Sequence, residues 1–300
     1  MTTPRPIQIY EVGPRDGLQA EATRVSTSDK IALIDMLSGS GLKMIEATSF
    51  VSPRWVPQLG DAAEVMSRIC RKPGVAYPVL TPNLKGYEAA VAAGADHVAI
   101  FASASEGFSA KNINCSIDES LARFRDVAAA ATRDGVKLRG YVSCAIACPY
   151  DGPTKPQQVA DVVQKLVDLG CYEVSLGDTT GVGTAAHVKR LLDEVARRID
   201  PRLLAVHYHD TYGQALANIL ASLDYDIATV DSSVGGLGGC PYAPGSAGNV
   251  ATEDVLYLLD GLGIATGVDL RLVVEAAWQI SDALGRKPRS KVARAYKSRT

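Results

Sequence analysis

A chain of 300 residues that is 47% hydrophobic, 21% charged and 6% aromatic has material for a sizeable core, in one large domain or two small ones. Its 33 acidic and 31 basic residues give a formal net charge of -2 with no long block of one sign, which gives no footing for a nucleic-acid or membrane partner. No apolar stretch approaches the ~18 residues needed to cross a bilayer.

The chain reaches strand-like residues almost at once, with no basic leader ahead of an apolar run. Cys70, Cys115, Cys144, Cys148, Cys171 and Cys240 form no CxxC pair. Reduced thiols and a cytoplasmic location are therefore expected.

Short apolar runs then alternate with segments of helical period. Strands are expected at 7–12, 43–48, 75–80, 97–102, 137–143, 172–177, 203–208 and 227–233. Helices are expected at 28–39, 83–94, 117–134, 155–170, 184–198, 212–223 and 252–263, several opened by Ser, Thr, Asp or Asn. Eight strand–helix units over about 260 residues fit a (β/α)8 TIM barrel in the α/β class. An open doubly wound sheet competes, but "EVGPRDGLQ" after the first strand has no GxGxxG phosphate turn. The expected organisation is one catalytic domain, with the barrel at about 7–265 and a short basic helical extension at about 266–300. The last sixteen residues, "GRKPRSKVARAYKSRT", hold seven Lys or Arg and no acid. They read as a solvated tail, or as a segment that docks on coenzyme phosphates or a second subunit.

Active sites of such barrels lie at the C-terminal strand ends, and the polar residues follow that rule. Arg15 and Asp16 follow strand 1, Glu46 closes strand 2, Arg139 lies on strand 5, and Asp178 follows strand 6. His207 and His209, two of only four histidines, end strand 7 on one face because the side-chain period of a strand is two. Strand 8 runs into "VGGLGGCPYAPGSAGN", with six glycines, Cys240 and Asn249. Barrel closure makes strands 7, 8 and 1 neighbours, so His207, His209, Asn249 and Asp16 can converge.

Two imidazoles, a carboxylate and an amide oxygen suit a divalent cation, Mg2+ or Mn2+ before Zn2+, with iron(II) also compatible. Asp16 alone would pass as the carboxylate of a β-turn. Arg15 presents a forked donor suited to an oxygen that gains charge, or to a rim salt bridge with Glu11 or Glu46. Glu46 is either an orienter of that arginine or a plain ion-pair partner. Cys240 lies in a stretch too rich in glycine to pack a core, where a thiol on a mobile lid can carry a proton. Cys144 and Cys148 in "CAIAC" read as apolar packing near strand 5.

The stretches "EVGPRDGLQ", "IEATSFVSPRWVPQ", "YPVLTPN", "RGYVSC", "SLGDTTGVG", "HYHDTYGQALAN" and "DSSVGGLGGCPYAPGSAGNVATEDV" resemble the 3-hydroxy-3-methylglutaryl-CoA lyase family of metal-dependent TIM-barrel lyases and synthases. The resemblance runs from about residue 7 to 294. It implies a Mg2+- or Mn2+-assisted retro-Claisen cleavage of an acyl-CoA, a reaction of leucine catabolism and ketone-body formation, and a homodimer. By that resemblance Asp16, His207, His209 and Asn249 match metal ligands, and Arg15 matches the group that neutralises the thioester oxygen. Cys240 matches the loop cysteine, Asp178 a catalytic-site aspartate and Glu46 a supporting acid. The hydroxyl proton goes to either Asp16 or Asp178. Lys111 and Asn112 fall where the family meets coenzyme and substrate, and Gln19, Arg139 and Thr179 join them as candidate substrate contacts. A lyase for a bulkier 3-hydroxy-3-alkylglutaryl-CoA is the main alternative, since it could keep every catalytic residue. A condensing synthase, a metal-dependent hydrolase and a barrel without catalysis are the others.

Overall fold

The computed structural model describes residues 5–240 and 243–297, and for residues 240 and 243–247 the backbone alone. Among these, eight parallel strands form the central sheet: β1 (Gln8–Glu11), β2 in two pieces (Met44–Ile45 and Thr48–Ser49), β3 (Val79–Leu80), β4 (His97–Ser103), β5 (Lys137–Ser143), β6 (Glu173–Asp178), β7 (Leu204–Tyr208) and β8 (Thr229–Ser232). Neighbours follow chain order from β2 to β8, and β8 then pairs with β1, Tyr10 standing opposite Asp231.

β2 closes the ring and explains its own interruption. Its first piece pairs with β1 and its second with β3. Between them the Glu46 N–H donates to the Glu11 carbonyl (2.8 Å) and the Ala47 N–H to that of Pro78 (2.9 Å). The Ile45 N–H also donates to the Ala76 carbonyl (3.1 Å), so the segment bonds to both neighbours on either side of the break between its two pieces. The closed sheet with helices outside is the (β/α)8 TIM barrel that the alternation implied.

Helices fill the outer ring. The longest, Ile117–Asp134, is opened by a capping box between Ser116 and Glu119 and ended by Gly135 at φ 69°, so sequence and structure agree on both ends. Two short helices at Ala62–Arg68 and Glu106–Ile113 were not expected, their runs being too short to show a period. The core lies between strands and helices, where Val, Ile and Leu side chains from both layers are buried together. After the barrel, helix Leu270–Ala283 packs against helix Thr27–Gly39, and helix Lys291–Lys297 follows. Among the described residues no helix is long and apolar enough to cross a membrane.

Candidate active site

The inside of the barrel is polar, and strand alternation decides who enters it. In β7 His207 stands opposite Asp231 of β8 and Gly177 of β6, while Tyr208 stands opposite Asp178. His207 therefore faces the barrel axis with Asp231, and Tyr208 faces the helices, where its hydroxyl meets that of Ser222 at 2.9 Å. His209 continues the inward face, its ring centroid 5.4 Å from that of His207. A bridge pairs the backbone of His209 with that of Asn249, which brings the end of the glycine-rich loop beside the imidazoles.

"GPRDG" forms a π-helical turn, Gly13–Gly17, in which the Gly17 N–H donates to the Val12 carbonyl (3.1 Å), and not the β-turn its composition suggested. Buried Glu11 explains the widening: its carboxylate accepts from the N–H groups of Gly13 (2.8 Å) and Val234 (2.8 Å) and from Thr252 Oγ1 (2.6 Å). The first and last loops are thus tied to one acid. A Cβ on Gly13 would stand 2.6 Å from the Glu11 Oε1 atom, so only glycine fits. Such turns recur at functional sites, and this one sends both Arg15 and Asp16 to the barrel mouth.

Asp16, His207 and His209 each bring a ligand atom within 4.8 Å of the other two. Burial works against charge on Asp16, but Arg15 and the two imidazoles outweigh it and hold the carboxyl well below the usual range. Burial, with His207 alongside, pushes His209 down to about 4, so its ring is neutral at neutral pH. Its Nδ1 is buried without a hydrogen-bond partner among the described residues. Burial opposes charge on His207 too, but Asp231 and Asp16 outweigh it and raise its pKa. Asp231 Oδ2 lies 3.3 Å from His207 Nδ1, the carboxylate behind an imidazole that fixes ring orientation in metal sites. An anionic carboxylate beside a neutral imidazole whose own Nδ1 is orphaned fits a divalent cation. Asn249 adjoins the cluster as a donor: its Nδ2 is 2.8 Å from Asp16 Oδ2.

Arg15 is held on two sides, by Glu46 Oε2 at Nε (2.8 Å) and by Asp16 Oδ1 at Nη1 (2.7 Å), and it lies 5.3 Å from the Tyr141 ring centroid. Tyr141 also donates to Glu46 (3.1 Å). Glu46 is fully buried. Arg15, Asp16, His207 and His209 line a cavity of about 1100 Å3, whose wall also includes Gln19, Lys111, Asn112 and Thr179.

Two candidate residues, one for substrate binding and one for catalysis, stand away from the cavity wall. Arg139 does not line this cavity. It is 1% exposed, bonded to Glu173 (2.7 Å) and to both Asp231 oxygens (2.7 and 3.2 Å), with its guanidinium 3.8 Å from the Tyr10 ring centroid. The residue sits one layer below the mouth, a depth that a strand position in sequence does not reveal. Asp178 does not line the cavity either. It belongs to β6, and alternation turns it outward to accept from the Gly183 N–H (2.7 Å), where burial raises its pKa. The Cys240 side chain lies outside the described residues; its backbone forms a short antiparallel hairpin, Gly239–Cys240 with Ala243–Ala247. Cys144 and Cys148 pack with Phe108, as expected of apolar thiols. Asp231 and Tyr141 are the site residues that sequence reasoning missed; their signal was position on the inward face of an already recognised strand.

The family profile described as HMGL-like matches residues 6–280. Hydroxymethylglutaryl-CoA lyase, mitochondrial, of Pongo abelii is 60% identical over 294 residues, which cover 98% of this chain and 90% of that protein. The crystal structure of hydroxymethylglutaryl-CoA lyase from Pseudomonas aeruginosa aligns at TM-score 0.98 and 55% identity, covering 100% of both chains. That of an HMG-CoA lyase from Acinetobacter baumannii in complex with coenzyme A and 3-methylmalate aligns at TM-score 0.92 and 36% identity, covering 98% of this chain and 96% of that one.

Proposed function

This chain belongs to the HMGL-like family, and from that premise we infer that it is a carbon–carbon lyase cleaving 3-hydroxy-3-methylglutaryl-CoA to acetyl-CoA and acetoacetate. The observation that carries the reading is the Asp16, His207 and His209 cluster beside Arg15 in one large cavity.

Residue roles follow from what the retro-Claisen reaction needs. A divalent ion, which we take to be Mg2+ or Mn2+, held by Asp16, His207, His209 and, after its amide turns, Asn249, would supply the Lewis acidity that eases loss of the C3 hydroxyl proton. Of the two carboxylates considered for that proton, Asp16 is the one that lines the cavity. As the C2–C3 bond breaks, its electron pair moves onto the acetyl-CoA fragment, and Arg15 neutralises the charge that develops on the thioester oxygen. Glu46 and Tyr141 keep the guanidinium in place, so less reorganisation is needed when charge appears. Cys240 then gives its proton to C2 before the fragments recondense. Gln19, Lys111, Asn112 and Thr179 hold the acyl-CoA. We place the activity in a single barrel domain working as a homodimer, and in the cytoplasm; the five described cysteines are free thiols, which suits a reducing compartment.

The test is a coupled assay with 3-hydroxy-3-methylglutaryl-CoA and with a longer 3-alkyl analogue, each with EDTA and after added Mg2+ or Mn2+. The five-carbon backbone with its methyl branch should be the faster substrate, silent in EDTA and restored by metal. Preference for the longer analogue would favour the bulkier-substrate lyase, and indifference to EDTA would end the metal assignment.

A further inference from the structure

The proposed reaction uses nothing from the basic C-terminal segment, yet residues 286–290 return over the barrel mouth and lie along the last loop. The Arg289 N–H donates to the Gly235 carbonyl (2.8 Å), and its guanidinium donates to the carbonyl of Gly238. From the other side, Glu21 Oε1 accepts the Gly238 N–H (3.1 Å) and pairs with Arg286. Gly238 is thus held at both its amide and its carbonyl by side chains remote in sequence.

The loop is shaped for this grip. Gly235, Gly236 and Gly238 have φ of 65°, 63° and 111°, a region that side-chain-bearing residues rarely adopt. A Cβ on Gly236 would lie 3.1 Å from that of Arg289, so the close approach of the two segments also depends on glycine. The clamp is itself anchored, because Ser290 Oγ donates to Asp254 (2.7 Å) at the start of the helix Thr252–Gly261. Arg289 lines the substrate cavity, and Gly239, the next loop residue, opens the short hairpin that contains Cys240.

We propose that Arg289, with Glu21 and Arg286 on the opposite side, is a positioning residue that fixes the Gly238 peptide and thereby sets where the Cys240 thiol meets the substrate. The proposal rests on the assignment of Cys240 as the proton donor. Two residues of chain, about 7 Å at full extension, separate the clamped carbonyl from the backbone of Cys240, so a small rotation at Gly238 moves that backbone by an ångström or more. Displacements of that size cost up to ~100-fold in rate.

The test combines kinetics with thiol labelling. In Arg289→Ala, kcat should fall about tenfold or more while KM and the metal concentration for half activity change little. Arg289→Lys, which keeps one donor for the Gly238 carbonyl, should recover part of the loss. Iodoacetamide labelling, read by peptide mass, should become several-fold faster at Cys240, with exposed Cys70 as the internal reference. An unchanged kcat, or a Cys240-to-Cys70 labelling ratio within twofold of the parent enzyme, would overturn the clamp. Should Arg289→Ala fail to fold, Glu21→Ala removes the opposite hold on Gly238 and is read the same way. A fully active Cys240→Ala enzyme would refute the proton-donor assignment alone, and the labelling ratio would still decide whether Arg289 holds the loop.

Discussion

Arg139 and Arg15 occupy successive levels of the same barrel, each between two acids and each beside the ring of Tyr141, but only Arg15 reaches the cavity. Around Arg139 the acids are Glu173 and Asp231, the residue is 1% exposed, and Tyr10 covers its face. Around Arg15 they are Glu46 and Asp16, of which Asp16 opens toward the imidazoles. One cluster spends its donors on the protein; the other presents its cation to the cavity. Identical residue types therefore give a sealed core or a cavity wall according to depth in the barrel. Asp231 links the two levels, since it holds Arg139 on one side and His207 on the other.

That contrast can be broken or sharpened by substitution. The largest effect is expected at the sealed level: Arg139→Met leaves Glu173 and Asp231 buried without their cation, which should cost about 3–5 kcal/mol in denaturant unfolding. Unfolding at the parent midpoint with only activity lost would erase the distinction. At the open level, Arg15→Gln should lower kcat by about 10²–10³ with a much smaller change in KM, the signature of a group that acts on charge developing in the transition state. A variant that altered KM alone would mean that Arg15 merely binds. Asp231→Asn tests the link and should weaken metal binding about 10–100-fold without touching the cavity wall. Equal affinity would show that His207 needs no orienting partner. The smallest effect belongs to Asp178→Asn, whose side chain faces the helices: kcat within a few-fold of the parent is expected, and a loss like that of Arg15→Gln would restore Asp178 to the reaction.

Much of this is legible in the sequence. The strand sequence placed β1, β7 and β8 side by side, and a period of two put His207 and His209 on one face. Depth and register were not legible. Asp178 was read as a loop residue after a strand ending at Gly177; the strand runs one residue further, and in a strand one residue is the difference between the axis and the helices. Arg139 was seen to lie on a strand, but how far below the mouth depends on barrel stagger. Glu11 looked like a possible salt-bridge partner for Arg15, whereas its hydrogen bonds tie residues 223 positions apart in the chain. Local pattern carries no trace of such a partner.

The proposed chemistry requires Asp16, His207 and His209 to grip one ion. Mn2+ binding followed by electron paramagnetic resonance, in the parent chain and in His209→Ala, tests this without needing turnover. The affinity should fall as the pH is lowered, because the raised pKa of His207 lets a proton compete for the imidazole. One tightly held Mn2+ per chain, lost or greatly weakened in His209→Ala, is the predicted result; the same affinity and stoichiometry in both proteins would contradict it.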